Sequence, residues 1–239
     1  MARLVFDAIA DRTFETGVSE GVLFPGTPNG SNAGVAWNGL TSVSDSPDGG
    51  DANDQYADNI KYLSLRGTEQ RNGTIEAFTY PDEFEPCLGN AVAGPIVVTG
   101  GNKTPFSFAY KTIYGNAQDG MDYGEKLHII YNATVSPSEK QYETVNDSPE
   151  AMTFSFEFNT TPVNVTITDA ERTKLAAVSE KFAKMKNTAV IEIVRTTATA
   201  TFYDSVEEIV YGNNATTSPL SSTLPLPGTI LSMYAATLA

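Results

Sequence analysis

Residues 146–163 read NDSPEAMTFSFEFNTTPV, and this stretch decides the fold class. From residue 152 onward, apolar and polar side chains alternate strictly. The apolar set comprises Met152, Phe154, Phe156 and Phe158. Alternation with a period of two predicts a β-strand that has one buried, aromatic face and one wet face. The turn-forming NDSP before the strand and Pro162 after it predict where the strand begins and ends.

Segments in which apolar and polar side chains alternate recur along the chain, separated by glycine and proline residues. This pattern predicts a mainly β protein. The further predicted strands are 34–43, 60–65, 74–80, 96–99, 105–112, 126–132 and 189–195. Residues 1–33 are interrupted by glycine and proline, so they are predicted to form an N-terminal arm with one short strand near 22–24. Residues 34–239 are predicted to form a β-sandwich or barrel with one or two flanking α-helices and extended arms and loops.

Helical signals are confined to the last third of the chain. Thr168 and Glu171 fit a capping box, in which each side chain bonds the backbone N–H of the other residue. Apolar residues at helical spacing follow, namely Leu175, Val178, Phe182 and Met185. These signals predict an additional helix over about 169–184. Residues 197–211 fit a helix and a strand equally well, and 213–239 are predicted to be extended.

The charge of the chain argues against nucleic-acid binding. The 239 residues carry a formal net charge of −14, and residues 1–90 hold 14 acidic and 5 basic side chains. Binding to phosphates requires lysine and arginine, which this excess of acid does not supply. Cys87 is the only cysteine, so an intrachain disulfide is excluded. The sequence is expected to have neither a signal peptide nor a membrane span.

The sequence supplies no convincing catalytic or metal-binding set, and we expect neither an enzyme nor a cofactor. His128 is the only histidine, and a structural role is favoured for it because no nucleophile motif accompanies it. Asp82, Glu83 and Glu85 share one short loop, whereas a glycosidase needs carboxylates on opposite sides of a bond.

A polar, acidic segment follows the predicted strand 34–43 and is the best candidate for a calcium loop. Asp48, Asp51, Asn53 and Asp54 carry the hard oxygen ligands that calcium prefers. The spacing of an EF-hand is absent, so a solvated loop is the favoured interpretation.

Four segments, in this order, resemble the major tail tube proteins of long-tailed, siphovirus-type bacteriophages, in particular those of Gram-positive hosts. The segments are 34–43 (GVAWNGLTSV), 56–63 (YADNIKYL), 79–87 (TYPDEFEPC) and 146–163, with weaker similarity at 211–212 (YG) and 224–227 (LPLP). The family has one helix that ends in a Tyr-Gly pair, which the resemblance places at 201–212. Residues 164–188 are longer than the family's connector, which is a departure from the pattern.

The resemblance implies a structural virion protein whose copies form rings, expected to be hexameric, that stack into the tail tube. The implied partners are further copies of the chain, the tape measure protein, and the tail tip and terminator proteins. Double-stranded DNA would pass through the tube without binding. The implied location is the virion tail, assembled in the host cytoplasm, with no membrane insertion by this chain.

The acidic residues then acquire two expected roles. Residues 41–58 are the candidate inter-ring loop, with Asp45, Asp48, Asp51, Asp54 and Asp58. The candidate lumen or surface acids, which would repel DNA within a Debye length of roughly 8 Å, are Asp82, Glu83, Glu85 and Glu157.

A non-catalytic carbohydrate- or calcium-binding β-sandwich module is the alternative interpretation. It would present aromatic side chains such as Trp37, Tyr80 or Tyr123 to a sugar and would use the acidic segment for calcium. Such a module is expected to be a stable monomer, whereas a tube subunit is expected to form rings or long polymers.

Overall fold

The computed structural model describes residues 6, 8–49, 52–65, 67, 70–136, 144, 151–213 and 220–238. Over these residues the protein is mainly β, which confirms the predicted fold class. The turn predicted over NDSP, residues 146–149, lies outside the described residues. The architecture is one large antiparallel sheet flanked by short helices and by three small two-stranded sheets, two of which are hairpins.

The strands are β1 (Thr13–Pro25), β2 (Val35–Trp37), β3 (Leu40–Asp48), β4 (Asn53–Ala57), β5 (Ile60–Leu65), β6 (Gln70–Ala77), β7 (Ala91–Ala93), β8 (Ile96–Val98), β9 (Phe106–Asn116), β10 (Gly120–Val135), β11 (Phe154–Thr160), β12 (Val163–Asn164), β13 (Asn187–Thr188) and β14 (Val190–Val194). The helices are α1 (Glu85–Leu88), α2 (Asp169–Val178), α3 (Glu180–Lys184), α4 (Ala200–Tyr211) and α5 (Pro227–Thr237). Short 3₁₀ turns cover Ile9–Asp11 and Asp82–Phe84.

The large sheet curls until its two ends meet. Its strand order is β2-β1-β9-β10-β11-β6-β3, and β14 also pairs with β10. The chain passes from β2 to β3 through Gly39, which has a φ of +77°. A Cβ on Gly21 of β1 would lie 2.6 Å from the side chain of Leu40 at the start of β3. The sheet is therefore a nearly closed barrel with an inner and an outer face.

The inner face is an aromatic core centred on Trp37. Its indole ring contacts Phe84, Phe108 and Phe156, with ring centroids 4.6, 5.4 and 6.0 Å away. Tilted and edge-on pairs of this kind add about 0.5–1.5 kcal/mol each beyond the burial of their area. Phe156 and Phe158 are buried, as the alternation in the opening stretch predicts. Met152 lies before β11 and is 37% exposed, so its predicted burial is wrong.

The outer face carries a second core, against which α4 and α5 pack. Alternate residues of β1, β9 and β10 supply the sheet side of this core, and the two helices supply the other side. Its members include Phe24, Leu127, Ile129, Tyr131, Tyr203, Val206, Val210 and Ile230. Tyr131 donates a hydrogen bond to the carbonyl of Pro225, at 2.9 Å, which fixes the segment leading into α5. The helices therefore lie on the barrel wall and leave its inner core untouched.

The predicted N-terminal arm is largely a strand. β1 has 13 residues and pairs with β9 from Thr13 to Pro25. Gly17 and Glu20 adopt positive φ angles of 72° and 52°, and the register with β9 shifts at the same places. The glycine-rich sequence thus forms bulges that bend the strand without ending it.

Segment 34–43 and the predicted inter-ring loop also differ from expectation. Gly39 divides 34–43 into β2 and β3, because its left-handed backbone turns the chain. Most of the described part of 41–58 is strand: β3 continues to Asp48 by pairing with β6, and Asn53–Ala57 forms β4. Backbone pairing overrides the polar composition of this segment.

The predicted helix over 169–184 is confirmed at its start and interrupted in its middle. The backbone N–H of Thr168 donates to Glu171 at 2.7 Å, and the Glu171 N–H donates to the Thr168 hydroxyl at 3.4 Å. Ser179 is extended, with φ −158° and ψ 124°, and separates α2 from α3. Because of this break only Leu175 of the predicted apolar stripe is fully buried, while Val178 and Phe182 are exposed.

The last part of the chain resolves one ambiguity and corrects one prediction. Within 197–211 the chain forms helix α4, so the strand alternative is wrong. Residues 213–239 are not wholly extended, because α5 begins at Pro227. Proline suits the first turn of a helix, and burial of Ile230 and Ala235 stabilises the turns that follow.

The close approach of α5 to the chain near Thr166 leads to a stability prediction. A Cβ on Gly228 would lie 2.2 Å from the Thr166 carbonyl oxygen. Gly228→Ala is therefore expected to lower the free energy of unfolding by about 1–3 kcal/mol in urea denaturation. Gly49→Ala is the control, because a Cβ there meets nothing within 4 Å. Equal stability of the two variants would contradict this packing.

Candidate functional site

The described residues do not assemble a metal centre. Among them, no group of three or more His, Cys, Asp or Glu side chains is placed to hold a metal ion. The acidic segment after β2 illustrates why. Asp45 pairs with Arg71 at 3.1 Å, Asp54 pairs with Lys61 at 2.8 Å, and Asp48 accepts a hydrogen bond from Asn72 at 3.1 Å. These acids point to separate partners.

The five acids of the predicted inter-ring loop therefore have different environments. Asp45 is half-buried in β3, and burial raises its carboxyl pKa although Arg71 opposes the shift. Asp54 is in β4, Asp58 is in the β4–β5 turn with φ 52°, and Asp51 lies outside the described residues. The described part of the segment is thus two strands and a turn, with Asp45 and Asp48 in the large sheet and only Asp54 and Asp58 in the β4–β5 hairpin.

The four candidate lumen or surface acids divide into three exposed residues and one buried residue. Asp82, Glu83 and Glu157 are exposed. Glu85 is 9% exposed and accepts hydrogen bonds from the Tyr80 hydroxyl at 3.0 Å and the Asn90 amide at 2.5 Å. Its assignment as a surface acid is wrong, because it anchors the turn that contains α1.

His128 has the structural setting that the sequence analysis favoured. Its ring stacks on Tyr110, with ring centroids 4.7 Å apart. Nε2 lies 2.9 Å from the Thr112 hydroxyl and 3.0 Å from Glu15. Lys126 lies 2.5 Å from Glu15 and 3.2 Å from Glu192, so one network joins four strands. The network ties β1 and β14 to the central hairpin of β9 and β10.

A second ion-pair network, which sequence reasoning missed, lies on the outer face. Lys111 is 7% exposed, and its ammonium contacts Glu20 at 2.7 Å, Glu125 at 3.7 Å, and Glu207 of α4. Burial opposes the charged form, yet the hydrogen bonds that Lys111 donates to Glu20 and Glu207 raise its pKa. The ammonium also lies 4.7 Å from the centre of the Tyr211 ring. This network holds α4 against the sheet.

Two hairpins project from the barrel and are the strongest candidates for a functional surface. The β4–β5 hairpin (Asn53–Ala57 and Ile60–Leu65) and the β7–β8 hairpin (Ala91–Ala93 and Ile96–Val98) each form a separate two-stranded sheet. All residues of β5, β7 and β8 are exposed. The exposed large apolar side chains are Tyr56, Ile60, Tyr62, Leu63, Leu65, Val92, Ile96, Val97 and Val98.

Such surfaces mark contacts with other molecules. A two-stranded hairpin alone is marginally stable in water, and clustered exposed apolar residues typically mark an interaction site. The sequence predicted strands 60–65 and 96–99 but not their projection from the barrel. The β7–β8 hairpin could have been found from its sequence AVAGPIVV, in which Gly-Pro separates two apolar runs.

The aromatic side chains proposed for the carbohydrate-binding alternative do not form a platform. Trp37 is 2% exposed, and its indole N–H donates to the Thr79 carbonyl at 2.8 Å. Tyr80 is half-buried and bonded to Glu85. Tyr123 is exposed and packs on Tyr114 with ring centroids 5.8 Å apart. The predicted role of Trp37 is wrong because it is the centre of the inner core.

Comparison with known proteins does not assign the chain to a family, since no family model and no curated sequence matches it. None of the described helices is both long and apolar enough to cross a membrane.

The burial of His128 predicts how stability depends on pH. Burial lowers the pKa of His128 below its ordinary value of 6.5, although Glu192 and Glu15 favour its charged form. Between the folded and unfolded pKa values the unfolded chain binds more protons, so stability falls as the pH falls below about 6.5. Urea denaturation across about pH 5–7 should show this fall, with a flatter profile for His128→Gln.

Two features make this measurement specific. His128 is the only histidine, so a difference in slope between the two proteins reports its titration. Hydrogen bonds from Lys126 and Thr112 outweigh burial and lower the pKa of Glu15, whose contribution is therefore lost only in more acidic solution. Identical profiles for wild type and variant would contradict the assignment.

Proposed function

We propose that this chain is a tail tube subunit of a long-tailed bacteriophage, a structural and non-catalytic protein that polymerises as stacked rings. The observation that carries the proposal is the β4–β5 hairpin, which projects from the barrel and exposes Tyr56, Ile60, Tyr62, Leu63 and Leu65. It includes residues 53–58 of the predicted inter-ring segment. Covering this hairpin with a neighbouring copy removes apolar area from water at roughly 25 cal/mol per Å².

The rest of the molecule is consistent with a repeating subunit. The ordered resemblance of four segments to tail tube proteins supports the proposal, and two of those segments supply the hairpin and α1. A subunit that presents apolar hairpins to other copies of the same chain can form rings, and those rings can stack. In the assembled tail, the tape measure, tail tip and terminator proteins would be its other partners.

The charge of the chain suits a conduit for DNA. With a net charge of −14, copies arranged around a channel would surround it with carboxylates. DNA carries about one charge per 1.7 Å of its axis, so an acidic wall repels it and lets it slide. We place Asp82, Glu83 and Glu157 on the lumen side as the exposed acids of the resembling segments.

Electron microscopy tests the assembly directly. Concentrated wild-type protein, with tail-tip proteins supplied as a nucleus, should form hollow rods or rings in negative stain. Tyr62→Asp should prevent stacking, because it places a charge in the apolar contact while Tyr62 is 69% exposed in the subunit. Thermal unfolding of the Tyr62→Asp subunit should match that of wild type.

Phe182→Asp serves as the control, since Phe182 is exposed on α3 away from the hairpin. This variant should assemble like wild type. Wild-type protein that stays monomeric at every concentration, even with the nucleus present, would overturn the proposal.

Lysine substitution tests the acidic lumen. Virions whose tubes carry Asp82→Lys, Glu83→Lys and Glu157→Lys should eject DNA more slowly, and the delay should grow as the salt concentration falls. Glu180→Lys changes an exposed charge on α3 and is the matched control. Ejection kinetics equal to those of wild type in the triple variant would contradict a lumen position for these acids.

A further inference from the structure

The β7–β8 hairpin is apolar on both of its faces. Val92 pairs with Val97, whereas the flanking pairs, Ala91 with Val98 and Ala93 with Ile96, lie on the opposite face. All six residues are exposed, and residues 91–98 contain no charged side chain. Strands that are apolar on both faces are typical of strands covered on both sides. The hairpin therefore suits insertion into a groove better than contact with a flat surface.

The same chain has a groove with apolar walls at the corner formed by β1, β2 and the start of β3. The bulges of β1 and the turn at Gly39 leave a cavity of about 440 Å³, here called the bulge groove. Its apolar walls include Val18, Val22, Trp37 and Leu40. Ala36 lies exposed on its β2 side.

Charge selects which hairpin fits the bulge groove. Among the described residues that line it, Glu20 is the only charged one. Glu20 is already paired with Lys111, and the β4–β5 hairpin would carry Asp54, Asp58 and Lys61 into this apolar groove, where removing their charges from water is costly. The β7–β8 hairpin brings no charge, so it is the complementary one.

We propose that the β7–β8 hairpin of one copy inserts into the bulge groove of a second copy. This inference rests on the proposed function and names one of the contacts through which the subunits associate. Because the hairpin and the groove are different surfaces, the contact is heterologous and repeats head-to-tail, which closes into a ring or extends as a filament. A contact by one hairpin is small beside the roughly 800 Å² per partner of a stable interface. Closure of a ring adds the stability that a single contact lacks.

Two blocked variants test the heterologous contact. Val97→Asp places a charge in the hairpin, and Ala36→Trp fills the groove from an exposed position. Neither variant alone should assemble, as measured by sedimentation velocity and negative-stain microscopy. Mixed together at the highest concentration that stays in solution, they should show a weak 1:1 dimer and nothing longer, because the intact hairpin of Ala36→Trp can enter the intact groove of Val97→Asp.

Val178→Asp is the matched control, since Val178 is 50% exposed and Val97 is 48% exposed. The control should assemble like wild type, and all three variants should keep the wild-type thermal unfolding curve. Normal assembly of Val97→Asp, or a mixture that contains only monomers, would overturn the hairpin–groove contact.

An oxidative cross-link separates this inference from the proposed function. A chain carrying both Val97→Cys and Asn38→Cys should give a ladder of disulfide-linked oligomers, because Asn38 lines the groove. The native Cys87 is buried, and burial raises its thiol pKa to about 12, so it does not compete. Tubes without a ladder contradict only the contact. A ladder without tubes contradicts the tail tube. The absence of both tubes and ladder contradicts both proposals.

Discussion

Alternation along β9 and β10 is the constraint on which the rest of the structure depends. Phe108 and Ile130 point into the barrel, while Ala109 and Ile129 point outward to the helices. The two strands pair along most of their length, so each residue pair supplies one core and its neighbour supplies the other. Because the side-chain period is two, a shift of one residue would exchange the two faces and disrupt both cores.

Charged networks complete the two faces where the apolar residues end. On the inner face, His128 and Lys126 connect Glu15 of β1 with Glu192 of β14. On the outer face, Lys111 gathers carboxylates from β1, β10 and α4. Lys111 and Lys126 are each held by more than one carboxylate, and this compensates for the removal of their charges from water. The networks therefore fix peripheral strands and a helix to a hairpin that is already determined by its cores.

The projecting hairpins and the net charge act in opposite directions on association. A charge of −14 keeps separate copies apart over a Debye length of roughly 8 Å. The exposed side chains of β5, β7 and β8 favour contact once copies are close. Weak contacts of this kind become effective when many are made together, as in a closed ring. The proposed polymerisation would therefore depend strongly on concentration and on salt.

Local patterns in the sequence determined the mainly β class, the buried Phe156 and Phe158, the capping box at Thr168 and the strand over Val190–Val194. Each depends on a short-range period or on a bond between near neighbours, so the sequence alone could reveal it. The setting of His128 was anticipated only as structural, because its partners Glu15 and Glu192 lie far away in sequence.

Tertiary structure alone decided the features that depend on distant partners. The polar residues of β3 form a strand because they pair with β6. Part of the segment that was predicted to be extended forms α5, which packs near Thr166 and on α4. Glu85 became buried through bonds to Tyr80 and Asn90, whereas the apolar β7 and β8 remained uncovered. A periodic pattern specifies which side chains share a face, but the free energy of burial depends on what the folded chain places against that face.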